Sequence, residues 1–139
     1  MQIQFGDYSI SDDKSYLQVG TILRFLAQSY WANQRSEEAV RKSIDNSICY
    51  GVYHGPRQIG FARIVTDHAT MYWLCDVFVD DDYRGQGIGK RLIETIAGAD
   101  ALQGLTGILG TLDAHGLYEQ YGFRKDESRF MRKRPELFR

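Results

Sequence analysis

With 139 residues, 43% hydrophobic and 25% charged, the chain can bury one core and is too apolar to be a disordered segment. Its net charge of −1 supplies no basic field for nucleic acid, and no apolar run approaches the ~18 residues of a membrane span. Cys49 and Cys75 form no C-x-x-C pair, so neither a disulfide framework nor a metal site is expected, and the expectation is one cytoplasmic domain over residues 1–139.

Ile3, Phe5, Tyr8 and Ile10 suggest one short first strand, ended by Ser11-Asp12-Asp13. A helix is predicted from Lys14 to Gln28, with Tyr16, Val19, Ile22, Leu23 and Leu26 on its buried face. Tyr30 and Trp31 follow in a loop. A second helix starts after Ser36, with Glu37 and Glu38 placed to suit the helix dipole. Residues 47–53 alternate as a half-buried strand. The turn His54-Gly55-Pro56-Arg57 leads to a strand over 58–66, and Asp67-His68 leads to a long strand over 70–79. Short turns make these three an antiparallel meander. Ile88, Leu92, Ile93 and Ile96 form the apolar stripe of a helix ending near Gly98, and residues 107–112 form a further strand. If that strand runs parallel to the long one, the two can diverge and leave a slot between them.

The organising stretch is the corner between the long strand and that helix. In Arg84-Gly85-Gln86-Gly87-Ile88-Gly89-Lys90, three glycines alternate immediately before the helix. Glycine permits a sharp turn and close backbone approach, while a helix N-terminus offers free N–H groups and a favourable dipole to an anion. Arg84 and Lys90 add positive charge, so phosphate or pyrophosphate is the natural guest. A Walker loop fails because Arg84 stands where its first glycine belongs and Arg91 where its Ser or Thr belongs. The dinucleotide fingerprint fails because Lys90 stands at its third glycine.

What remains is R-x-x-G-x-G, from Arg84 through Gly87 to Gly89, behind the strand segment Val77-Phe78-Val79. It resembles the pyrophosphate loop of the GNAT N-acetyltransferases. A second stretch, Leu117, Tyr118, Gly122 and Phe123, resembles the same family's L-Y-x-x-x-G-F helix. Here a short helix is expected, with Gly122 at C′ and Phe123 opening a last strand. The resemblance covers residues 47–131 and implies an α/β fold, a mixed and mostly antiparallel sheet flanked by helices, with a splayed strand pair forming the cofactor slot.

The resemblance also implies roles. Acetyl-CoA is the co-substrate, held by Val77, Phe78 and Val79 along its pantetheine arm and by Arg84, Gly85, Gln86, Gly87, Ile88, Gly89 and Lys90 at its diphosphate. A main-chain N–H near Phe78 serves the oxyanion. Tyr118 matches the general acid, since a phenol is protonated at neutral pH and can reprotonate a thiolate; its alternative is a tyrosine packed on the sheet. For the base, Asp76, His115 and a water chain stay open, and Asp76 can equally be a carboxylate satisfied by backbone or an arginine. Tyr30, Trp31 and His115 are placed at the acceptor site, with Tyr30 and Trp31 as aromatic walls. The implied reaction is direct transfer of acetyl to a primary amine, with a small-molecule acceptor, no nucleic acid or membrane partner, and a homodimer among the assemblies allowed. The rival is a non-catalytic acyl-CoA-binding sensor, which needs the corner but no acid and base.

Overall fold

The structure, a computed structural model, describes residues 1–135. Its six strands, β1 (Gln2–Phe5), β2 (Tyr8–Ser11), β3 (Ile48–His54), β4 (Arg57–Thr66), β5 (Met71–Val79) and β6 (Thr106–Leu109), lie in chain order in one sheet. Neighbours from β1 to β5 are antiparallel, and β6 runs parallel to β5. Helices α1 (Val19–Ala27) and α2 (Glu37–Asp45) precede β3, α3 (Ile88–Ala97) connects β5 to β6, and α4 (His115–Glu119) follows β6. The mixed, mostly antiparallel sheet with flanking helices is the expected architecture.

Two apolar cores lie on opposite faces of the sheet. Under α3 and α4, Ile88, Leu92, Ile93 and Ile96 pack on Val52, Ile64, Tyr72 and Leu74. Under α1 and α2, Ile22, Phe25, Val40 and Ile44 pack on Cys49, Phe61 and Phe78. Burial of each such side chain contributes about 1.5–3 kcal/mol. Because both faces are covered, β3 is buried from Cys49 through Tyr53 rather than on one face as its alternation suggested.

Three elements depart from the sequence reading. The first strand is a hairpin, turned at Gly6-Asp7 with Gly6 at φ 58°. The helix expected over 14–28 is split. A single 3₁₀ turn at Lys14–Tyr16 precedes extended Leu17 and Gln18, and α1 starts only at Val19. The cause lies 40 residues away, where the fully buried Gln58 amide accepts the Gln18 N–H at 2.7 Å while Gln18 Oε1 accepts the Gln58 N–H at 3.2 Å. These bonds hold the backbone out of the helix and leave Tyr16 exposed rather than buried. Finally, Phe123 opens no strand among the described residues. The segment after it is dense in charge, which disfavours a strand, and Phe130 instead stacks on Trp73 with ring centroids 6.1 Å apart.

Candidate active site

The slot opens where β6 stops. The β5–β6 register runs from Met71↔Thr106 to Leu74↔Leu109, and beyond it Cys75 to Val79 have no strand on that side among the described residues. At the point of divergence β5 carries a bulge. Phe61 pairs with Phe78 but Arg63 with Cys75, so one extra β5 residue is accommodated there, and Asp76 takes a left-handed φ of 55°. The extra residue shifts which side chains face each layer. Tyr72 and Leu74 lie in the α3 core, and Val77 and Val79 pack against that same core. Phe78 turns to the opposite face and stacks on Phe25 at 4.8 Å.

After β5 the chain makes a 3₁₀ turn at Asp81–Tyr83 and enters the glycine corner. Arg84 is fixed by its Nε donating to the Val79 carbonyl at 3.1 Å, by Asp81 at 2.8 Å and by the Phe78 ring beneath it. Gly85 and Gly87 adopt φ 80° and 77°, which side chains rarely tolerate, and Gly87 is the N-cap of α3. Gln86 is tied to the β1–β2 hairpin by the Tyr8 hydroxyl at 2.7 Å. The N–H groups of Ile88, Gly89 and Lys90 find no acceptor among the described residues. Gly89 is informative because the protein itself does not demand it. A Cβ there would meet only Val79, at an ordinary 3.7 Å, and its φ is not left-handed. The open, donor-lined corner therefore fits a diphosphate lying against the backbone.

The α1–α2 loop spans the slot. Ser29 pins it from within, its hydroxyl donating to the Leu26 carbonyl and accepting the Ala32 N–H. Tyr30 reaches to the β6 side, where its hydroxyl accepts the Leu112 N–H at 3.2 Å. The next residue, Trp31, reaches to the β5 side and donates its indole N–H to Asp76 at 3.1 Å. The two rings meet edge-on at 4.9 Å, and both are exposed in part.

Tyr118 sits on α4, largely buried and edge-on to Phe123. Its helix ends in a Schellman motif. The Phe123 N–H donates to the Tyr118 carbonyl and the Gly122 N–H to that of Glu119, with Gly122 at φ 93°. Gly122 is thus at C′, as its place in the sequence suggests. Burial, with the nearby Tyr30 and Asp113, pushes the Tyr118 hydroxyl up to about 12. That hydroxyl makes no hydrogen bond to the described residues, and it is not sealed from solvent as Tyr53 Oη is. His115, half-buried at the start of α4, has no hydrogen bond there either.

Asp76 is held on all sides. Its Oδ1 accepts from Trp31, and its Oδ2 accepts from Arg35 Nη1 at 2.7 Å and from Arg63 Nε at 2.9 Å. Burial raises its pKa, but Arg63 and Arg35 outweigh burial and hold the carboxyl below its ordinary range. Sequence reasoning missed both arginines. Arg63 could have been flagged as a charge between Phe61 and Ile64 on an interior strand, which needs a partner. Arg35 stands one residue before the Ser36 cap, and no spacing marks it.

Two cavities lie to either side of these groups. One, of about 510 Å³, is at the opposite end of the sheet near Tyr50, Ile64 and His68. The other, of about 520 Å³, lies beside the slot between α1 and the end of β5, against Phe25, Gln28 and Phe78. No cluster of three potential metal ligands occurs among the described residues. None of their helices is long and apolar enough to cross a membrane.

The sequence profile of the acetyltransferase (GNAT) domain matches residues 45–125, which takes in the bulge, the corner and Tyr118. The chain belongs to the GNAT family. A GNAT-family protein from Xanthomonas campestris has a crystal structure 38% identical to this chain, covering 97% of it and 99% of its own length, with a TM-score of 0.89. A Gibberella zeae protein classed among acetyltransferases is 30% identical over 71% of this chain, which spans 66% of that relative. The GNAT fold is shared at 18% identity by a Bacillus halodurans protein described as a transcriptional regulator, with a TM-score of 0.65 over 92% of this chain and 99% of the other.

Proposed function

We propose that the domain transfers acetyl from acetyl-CoA to the primary amine of a small molecule by direct attack, with Tyr118 as general acid. The observation that carries this reading is a protonated, unbonded phenol beside a slot whose far end is an open, donor-lined helix N-terminus. When bound, acetyl-CoA supplies an acyl thioester already activated toward amines. The N–H groups of Ile88, Gly89 and Lys90 would hold its diphosphate, with Arg84 and Lys90 adding charge. The unpaired edge of β5 at Val77, Phe78 and Val79 would hold its arm and present a main-chain N–H to the carbonyl oxygen. Tyr118 stays protonated throughout the neutral range, so a proton is ready for the leaving thiolate.

Direct attack is supported by the cysteines. Burial pushes both Cys49 and Cys75 up to about 11, which leaves neither as a nucleophilic thiolate at neutral pH. Their unpaired state suits the cytoplasm. Asp76 we assign to positioning rather than to base catalysis. Its oxygens are engaged by three donors, and a carboxyl held below its usual range is a poor acceptor for an ammonium proton. The base is then His115 or a water chain. Tyr30 and Trp31 give the acceptor side aromatic walls suited to a small amine.

The test is thiol release from acetyl-CoA across a panel of amines, read beside the thermal shift given by acetyl-CoA alone. Transfer that falls about 10²-fold in Tyr118→Phe with the shift intact supports the reading. A shift with no transfer to any amine would favour the non-catalytic sensor.

A further inference from the structure

Two guanidinium groups share one carboxylate beneath the α1–α2 loop, and the charges do not balance. Among the described residues Arg35 and Arg63 each form a salt bridge only with Asp76. Three charged groups therefore leave one surplus positive charge. Arg63 is largely consumed, since its Nε donates to Asp76, its Nη1 donates to Ser47 Oγ, and its side chain is 12% exposed. Arg35 is different. Its Nη1 alone is engaged, its side chain is 30% exposed, and its Nε and Nη2 donors have no partner among the described residues. The surplus charge thus reaches solvent through Arg35, in the loop that spans the slot from Asp76 to Leu112. The β6 side, next to the Leu112 that Tyr30 holds, carries the opposite sign. Asp113, close enough to Tyr118 to help hold its proton, has no ion pair among the described residues.

We infer that Arg35 is a specificity-determining residue that selects amine acceptors carrying an oxyanion, a carboxylate or a phosphate. This rests on the amine-acetylating reading above. A planar guanidinium held at one nitrogen is oriented in advance, and its remaining Nε and Nη2 face can grip an oxyanion through two parallel hydrogen bonds. Such an acceptor would be polarised across the slot, its anion toward Arg35 and its ammonium toward the Asp113 side. The cavity beside Phe78 offers no competing acidic site. Asp80 and Asp82 face Arg57, Asp81 is paired with Arg84, and Arg24 adds a further cation.

The experiment uses matched acceptors with the same amine, with and without the anion. One pair is an amino acid and its amide, and the other an aminoalkyl phosphate and the corresponding amino alcohol. The wild-type chain should favour an anionic member by about tenfold or more in kcat/KM, the scale of a hydrogen-bonded charge. The better pair identifies carboxylate or phosphate. Arg35→Gln should erase the preference through KM, leave the acetyl-CoA thermal shift unchanged, and be partly rescued by Arg35→Lys. A second arm needs no turnover or variant, and measures the thermal shift of the CoA-loaded wild type with an N-acetyl amino acid, its amide and an N-acetylaminoalkyl phosphate. Stabilisation by an anionic ligand and not by the amide is the expected result. If no amine is acetylated, the catalytic reading fails while this arm still decides the present one. Equal treatment of both members of each pair, or an undiminished preference in Arg35→Gln, overturns the role of Arg35.

Discussion

Trp31 Nε1 and Asp76 Oδ1 meet at 3.1 Å across 45 residues of sequence, and this bond ties the acceptor-side loop to the bulge where β5 leaves β6. The indole is thus a tether as well as the proposed wall of the slot. Trp31→Phe keeps an aromatic face and removes the N–H. We expect a loss of about 1.5–3 kcal/mol in urea unfolding, the net value of a hydrogen bond to a charged group, together with a several-fold rise in acceptor KM. An unchanged acceptor KM alongside reduced stability would make the tether purely structural.

Asp76→Asn tests the charge and spares the backbone, because asparagine tolerates the left-handed conformation seen here. It leaves the buried Arg63 without its counter-charge, and the expected cost is about 3 kcal/mol or more. The pH dependence follows from the lowered folded-state pKa. As pH falls, the unfolded chain takes up this proton first. The contribution of Asp76 is therefore complete above the ordinary aspartate pKa of ~4 and drains away as pH drops through the lower folded value. Urea midpoints measured from about pH 7 to about pH 3 should fall less steeply in the variant than in wild type.

Gly89→Ala separates folding from binding. With no left-handed φ and only Val79 nearby, alanine fits and should raise the melting temperature of the free protein slightly, as replacing glycine in a helix does. If the diphosphate lies against this backbone as proposed, the added methyl would crowd it, so acetyl-CoA affinity should fall. A stabilised variant that binds acetyl-CoA as before would move the diphosphate away from this corner. Gly87→Ala is a poorer probe because its φ of 77° adds backbone strain to any effect on binding.

The raised pKa of Tyr118 makes a further prediction about rate. A general acid with a pKa of about 12 remains protonated well into the alkaline range. Turnover should rise as the amine deprotonates and then level off, with no alkaline fall up to about pH 10. Tyr118→Phe should keep that profile at a rate about 10²-fold lower. A wild-type rate that falls at mildly alkaline pH, and does so only while Tyr118 is present, would show a hydroxyl far more acidic than its burial implies.

The features legible in the sequence were those set by short-range constraints. Gly85, Gly87 and Gly122 are required by left-handed backbone within a few residues, and Ile88, Leu92, Ile93 and Ile96 repeat with the helix. Local sequence therefore marked the corner, α3 and the end of α4. The break before α1 was not legible, because it depends on the Gln58 amide, which lies on β4. The state of Asp76 was hidden for the same reason. Its three partners come from the α1–α2 loop and β4, and until they are placed together the carboxylate reads equally well as a base or as an anchor.

The bulge at Asp76 sets the phase of all that follows on β5. In an uninterrupted strand Phe78 would lie on the same side as Tyr72 and Leu74, and Val77 and Val79 would point the other way. Regular pairing of all nine β5 residues would impose that arrangement and take Phe78 from its stack on Phe25, whereas deleting Asp76 would remove the bulge and the extra residue together and leave Phe78 on its present face. The bulge therefore lets β5 carry one more side chain, the Asp76 carboxylate, without changing the facing of the strand beyond it. A donor-binding corner transplanted to another sheet would face the same way without the supernumerary residue, and would lose with it only the carboxylate that moors the α1–α2 loop to the strand.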